Sequence, residues 1–146
     1  MPKATLSDAL KKLRLSGMAG TLDVRLQEAR ANRLEHSEFL ELVLQDELSI
    51  RHERQIARRI KTARFREMKT LDDFDWQFNR SIKRKEVFDM AAGAFVREAK
   101  DVLLVGPPGV GKSHIAQAVG LAIIKAGHTA LYRSIFDAIR DLLHDE

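Results

Sequence analysis

The 146-residue chain contains no cysteine, which excludes disulfides and thiolate-ligated metal and fits a protein kept in a reducing compartment. It also lacks any apolar window near the eighteen or so residues that a membrane helix needs. Its opening, Met-Pro-Lys-Ala-Thr-Leu-Ser-Asp, has no apolar core of the kind a signal peptide requires. These absences point to the cytoplasm and away from a membrane. What is present is 45% hydrophobic and 32% charged, the balance of a globular chain.

Acidic residues are scarce in one place. The net charge is +4, yet between positions 51 and 69 eight Lys or Arg stand against only Glu53 and Glu67. That local excess is larger than the charge of the whole chain, so the remainder is net negative. Arg51, Arg54, Arg58 and Lys61 recur at steps of three and four, with Arg59 and Arg64 beside them. With so few acids in the block, intrahelical pairing is not expected to neutralise this ridge. A cationic helix face of this kind suits the phosphates of DNA without regard to base sequence; an acidic protein partner is the alternative.

The most informative stretch runs from 101 to 126. The run 102–105, Val-Leu-Leu-Val, is apolar and β-branched at both ends, as a buried parallel strand should be. A helix is predicted from Lys112, with Ile115, Val119, Ala122 and Ile123 on one face and Gly127 as its stop. Between them, Gly106-Pro107-Pro108-Gly109-Val110-Gly111-Lys112-Ser113 matches G-x-x-x-x-G-K-[ST]. Gly106 and Gly111 are expected to take backbone angles that a Cβ penalises, so that successive N–H groups face phosphate oxygens. The helix N-terminus adds partial positive charge. Lys112 is the residue to bridge the β- and γ-phosphates, and the Ser113 hydroxyl is the expected ligand of Mg²⁺. Pro107, Pro108 and Val110 stiffen the loop.

Before this stretch the pattern is helical. Thr5 with Asp8 predicts a capped first helix, followed by a break near Ser16-Gly17 and a second helix over 18–31. Ser37 is the expected cap of a long third helix with an apolar stripe at Leu40, Leu44, Leu48, His52, Ile56, Ile60 and Ala63. His52 reads as a packed residue, since no partner completes a metal set. Residues 70–80, TLDDFDWQFNR, read as a connector that packs its aromatics against the segments C-terminal to it; 81–99 is a further helix. After the phosphate loop, 129–132 reads as a second strand. Ser134 with Asp137 caps a last helix, and 142–146 is its end, not an acidic strand. The predicted fold class is α/β: an all-helical region over 1–69, a connector over 70–100, and over 101–146 the first βαβα part of a doubly wound parallel sheet.

The frame VLLVGPPGVGKSHIAQAVG, the preceding TLDDFDWQF and the opening LSDALKKLRLSGMAGTLDVRL resemble the IstB family. These are ATP-binding helpers of bacterial insertion-sequence transposition, kin to the DnaC helicase loader within the AAA+ ATPases. The resemblance runs along essentially the whole chain. It implies ATP and Mg²⁺ as cofactors, DNA and a transposase as partners, and self-association on DNA. It carries Gly106, Gly109, Gly111, Lys112 and Ser113 over as nucleotide contacts, within a cofactor-binding stretch that ends at His114, and makes Lys112 the catalytic residue. A DnaC-like loader gripping a replicative helicase is the alternative in the same fold; a non-enzymatic DNA- or self-binding remnant is the alternative outside it.

The family's acidic strand, sensor, arginine finger and lid have no counterpart here, so the expectation is an ATPase cut short after its second βα unit. The 146-residue chain is predicted to bind Mg-nucleotide weakly and hydrolyse little. Steady ATP turnover that disappears in Lys112→Ala would contradict this.

Overall fold

Side-chain oxygens decide where several helices begin. The computed structural model describes residues 5–144; Asp145 and Glu146, expected from sequence to end the last helix, and the first four residues lie outside it. Helix α1 (Leu6–Lys12) opens at Thr5, whose hydroxyl oxygen accepts from the Asp8 amide at 3.2 Å, as the spacing predicts. Helix α2 (Ser16–Asn32) has no cap from its own N-cap residue, Leu15. Its cap comes from 30 residues away, where Glu47 Oε2 accepts from the Gly17 amide at 2.7 Å and the Met18 amide at 3.1 Å.

Glu47 belongs to helix α3 (His36–Ala63) and is 5% exposed. Burial of a carboxylate is costly unless it is bonded, and here its other oxygen accepts from Arg51 Nε at 2.7 Å. Gly17 makes the approach possible: a Cβ there would lie 2.8 Å from the Glu47 Cα. One position along, Asp46 takes the Arg25 fork at 2.8 and 2.9 Å, the bidentate geometry that makes such pairs strong.

This polar contact sets the rotation of α3. The side chains it buries are Val43 and Glu47 in its first half and Ala63 at its end, while Leu40, Leu44 and Leu48 are about half exposed and His52 is exposed. The predicted apolar stripe is therefore not the buried face over its first half. Periodicity located the helix but not its orientation, because a buried carboxylate counts as polar in any hydropathy pattern. The helix also begins at His36, so Ser37 is its second residue rather than its cap.

The chain divides into two compact units, Met1–Gln55 and Ile56–Glu146, with the division inside α3. In the second unit, α4 (Arg84–Ala91) and α5 (Ala94–Arg97) replace the single helix expected over 81–99, because Gly93 turns left-handed at φ 78. Helix α6 (Lys112–Lys125) is the centre of this unit. Its Ile115, Ala118, Val119 and Ile123 bury against Leu71, Phe74 and Val87. It ends at Gly127, φ 100, with the His128 amide bonded to Ile123 O. Helix α7 (Ile135–His144) opens on a reciprocal cap in which the Asp137 carboxylate accepts from the Ser134 amide and hydroxyl, and the Asp137 amide donates back to Ser134 Oγ.

The βαβα sheet is not formed: among the described residues there is no strand. Residues 102–105 and 129–132 lie outside any helix and make no ladder, and Leu103 and Val105 are 85% and 82% exposed. Their one backbone bond of note joins the Tyr132 amide to Ala63 O at 2.7 Å, and so ties this segment to the end of α3. A β-branched apolar run favours extended backbone, but a strand exists only where a neighbour accepts its hydrogen bonds.

The Asp46 carboxyl is held at about 2, chiefly by Arg25 and then by Thr21, and Glu47 lies below its ordinary range, chiefly because of Arg51. Both are depressed in the folded state, so the stability they contribute is present above their unfolded values and is lost as pH falls through their folded ones, about 2 for Asp46. Amide exchange in α2 is expected to accelerate over that window before exchange in α6 does. Equal acceleration of the two helices would show that Glu47 and Asp46 do not hold α2.

Candidate nucleotide-binding site

The loop 106–111 turns into α6 through two left-handed glycines, Gly109 at φ 80 and Gly111 at φ 96. Gly106 is not left-handed, and a Cβ there would make an ordinary 3.5 Å contact with Val110. The conformational demand expected at Gly106 therefore falls on Gly109. At Gly111 the demand is double, because a Cβ would also meet the Phe74 ring at 2.8 Å.

Phe74 is the aromatic floor of the turn. It is 7% exposed, lies edge-on to Trp76 at 4.8 Å and to the His114 ring at 5.1 Å, and belongs to the core under α6. His114 Nε2 is 3.0 Å from Thr70 O. The His114 side chain is thus committed to the connector, one residue past Ser113.

Lys112 reaches back across the loop, its ammonium donating to Gly106 O at 2.8 Å and Pro107 O at 2.6 Å. Gly111, the N-cap residue of α6, makes no side-chain cap, so the first helical turn keeps its partial positive charge for a ligand of the loop. Ser113 is exposed, and its hydroxyl makes no hydrogen bond among the described residues; its carbonyl accepts from Gln117 Nε2 at 3.2 Å. Gln117 is itself buried, and its Oε1 accepts from the Glu67 amide at 3.0 Å. No pattern singled out Gln117 or Phe74 as supports of the loop; the aromatic character of 70–80 was the only signal.

Beside the loop lies a cavity of about 520 Å³. It is lined by Gly106, Pro107, Val110 and Lys112 of the loop and by Ile82, Val87 and Met90, with Asn79, Ser81, Lys83 and Glu86 as polar groups. Pro108 is exposed and outside that lining. The residues fit a magnesium triphosphate: a turn too tight for a Cβ, a helix start with no side-chain cap, a lysine held at the mouth and an uncommitted hydroxyl.

The basic residues of α3 divide by partner. Arg51 is paired with Glu47 and Arg54 donates to Ser16 Oγ at 2.6 Å. Arg59 donates to Gly127 O at 2.6 Å. Arg58 and Lys61 are exposed and make no ion pair among the described residues, and Arg64 follows the helix in a left-handed turn at φ 55. Intrahelical pairing does reach this ridge: Glu47 lies one turn upstream of the basic block, and so escapes a count that begins at Arg51.

A family model, IstB-like ATP binding protein, matches residues 8–146. The chain belongs to this family. An insertion-sequence protein of Pseudomonas aeruginosa named for ATP binding is 38% identical over 134 residues, covering 92% of this chain and 51% of that protein. Another, from Mycobacterium tuberculosis, is 36% identical over 137 residues, covering 94% of this chain and 55% of its own length. One from Pseudomonas fluorescens is 34% identical over 133 residues. This IstB-like chain thus spans about half the length of the relatives it matches. No helix among the described residues is long and apolar enough to cross a membrane.

Gly111→Ala is expected to lower the thermal stability of the second unit by about 2–4 kcal/mol, from left-handed strain plus overpacking against Phe74. Gly109→Ala, with open space around it, is expected to cost only about 1 kcal/mol. Adding Phe74→Leu to Gly111→Ala should recover part of the loss, read as non-additivity in a double-mutant cycle. Strict additivity would mean that Phe74 does not limit this turn.

Proposed function

We propose that this chain binds Mg-ATP at 106–113 and DNA along α3, as an IstB-like helper of transposition that engages a transposase in the cytoplasm. The observation that carries the nucleotide reading is the loop itself. Two left-handed glycines lead into the start of α6, with Lys112 and Ser113 in its first turn. Amides there donate to phosphate oxygens, and Lys112 exchanges the carbonyls of Gly106 and Pro107 for the β- and γ-phosphates. That exchange trades two neutral acceptors for charged ones, which form the stronger bonds. The Ser113 hydroxyl is the protein's ligand to Mg²⁺, the ion that neutralises the triphosphate. Base and ribose enter the neighbouring cavity, whose size and apolar lining suit them.

The names of the relatives support ATP binding and an insertion-sequence setting, and hence a transposase as the partner rather than a helicase. DNA contact is supported by Arg58 and Lys61, which have no acidic partner among the described residues. Arg51, Arg54, Arg59 and Arg64 stand along the same helix and its end, and self-association on DNA belongs to the same reading.

ATP with Mg²⁺ is expected to raise the melting temperature, by an amount equivalent to about 2.7 kcal/mol at a hundredfold excess over Kd. Adenosine alone should give no shift, and Lys112→Ala, compared with its own nucleotide-free melting temperature, should abolish the shift. An undiminished ATP shift in Lys112→Ala would overturn the assignment.

A further inference from the structure

Four arginines far apart in sequence converge in the second unit. A surface basin of about 280 Å³ is lined by Arg64, Arg66, Tyr132, Arg133 and Arg140, with Asp137 and Asp141 as its only acids. The chain is held in this shape by three contacts. The Tyr132 amide bonds Ala63 O at 2.7 Å, and the Phe65 and Tyr132 rings meet at 6.5 Å. Phe65 also packs on α6, where a Cβ at Gly120 would touch its ring at 3.0 Å. With Phe65 turned inward, Arg64 and Arg66 flank it and line the basin together. Arg64 does so from the left-handed turn, φ 55, that ends α3.

The two acids do not neutralise the four cations. Asp141 pairs with Arg133. Asp137 is engaged in capping α7 through Ser134, with Arg140 Nη1 at 3.8 Å. Arg64 and Arg66 make no ion pair among the described residues and are exposed. The basin keeps a formal excess of two positive charges, and its lining is otherwise a phenol. Planar guanidiniums around a polar depression match an oxyanion with several acceptor oxygens. At the start of α7 the Ser134 and Asp137 amides are taken up by the reciprocal cap.

We propose that this basin holds a backbone phosphate of DNA, with Arg64 and Arg66 as its principal contacts and Arg133 and Arg140 as flanking charges. A phosphodiester is favoured over a free nucleotide phosphate because the basin has no apolar wall for a base, whereas the cavity beside the loop 106–113 has one. This inference rests on the DNA-binding reading proposed for α3. It adds Arg66, Arg133 and Arg140, none of which belongs to the α3 ridge.

The test uses the full 146-residue chain and a fluorescein-labelled DNA duplex, with affinity measured as a function of salt. Arg66→Gln with Arg140→Gln, which leaves every residue of the α3 reading in place, is expected to weaken binding about tenfold and to reduce the slope of log K against log salt by about one. The ATP-induced melting shift should be unchanged. Arg58→Gln with Lys61→Gln reports the ridge separately. Wild-type binding to DNA that the basin double variant leaves unaltered, in affinity and slope, overturns this inference alone. Loss of the ATP shift in that variant, with DNA binding intact, overturns it too by assigning the basin to nucleotide. Failure of the wild-type chain to bind the duplex at any salt overturns both the basin and the DNA-binding reading.

Discussion

The contact between Gly111 and Phe74 is the constraint on which the second unit depends. A left-handed residue without a Cβ lets the phosphate loop turn into α6 directly over an aromatic ring. The same ring closes the core beneath α6 and lies edge-on to Trp76 and His114. The connector is therefore the floor that fixes where α6 begins. Since the first turn of α6 carries Lys112 and Ser113, packing at Phe74 and chemistry at the loop are one problem. Overpacking here strains the site before it unfolds the unit.

The first unit solves a different problem by a similar device. Helix α2 lacks a cap of its own, and α3 supplies one through Glu47, whose burial is tolerable only because three N–H donors meet it. Gly17 allows the approach. The consequence reaches the surface: with Glu47 and Val43 turned inward, Leu40, Leu44 and Leu48 turn out, and Arg51 commits its charge to the cap. Of the cations along α3, Arg58 and Lys61 make no ion pair among the described residues and are left to meet an external anion.

Charge in this protein is legible only when traced in space. Counting from Arg51 onward makes the basic block nearly free of acid, yet Glu47, one turn earlier, takes Arg51. Conversely, Arg133 and Arg140 look unremarkable where they stand and gain meaning beside Arg64 and Arg66, brought there by one backbone bond and a ring contact. Like charges gathered at some electrostatic cost are more informative than a run of cations along a helix.

The sequence by itself determined what depends on neighbours in the chain: the caps at Thr5 and Ser134, the stop at Gly127, the helical period of α6, the glycine-lysine-serine pattern of the loop and its family. These are contacts within four or five residues, and residue type alone selects them. Tertiary structure decided the rest. Whether 102–105 becomes a strand depends on a partner for its amides and carbonyls, which no local pattern supplies. Which face of α3 is buried depends on Glu47 finding the start of α2, and which glycines of the loop are left-handed depends on its path over Phe74. Each of these is a contact between residues far apart along the chain, where burial and hydrogen-bond demand outweigh local preference.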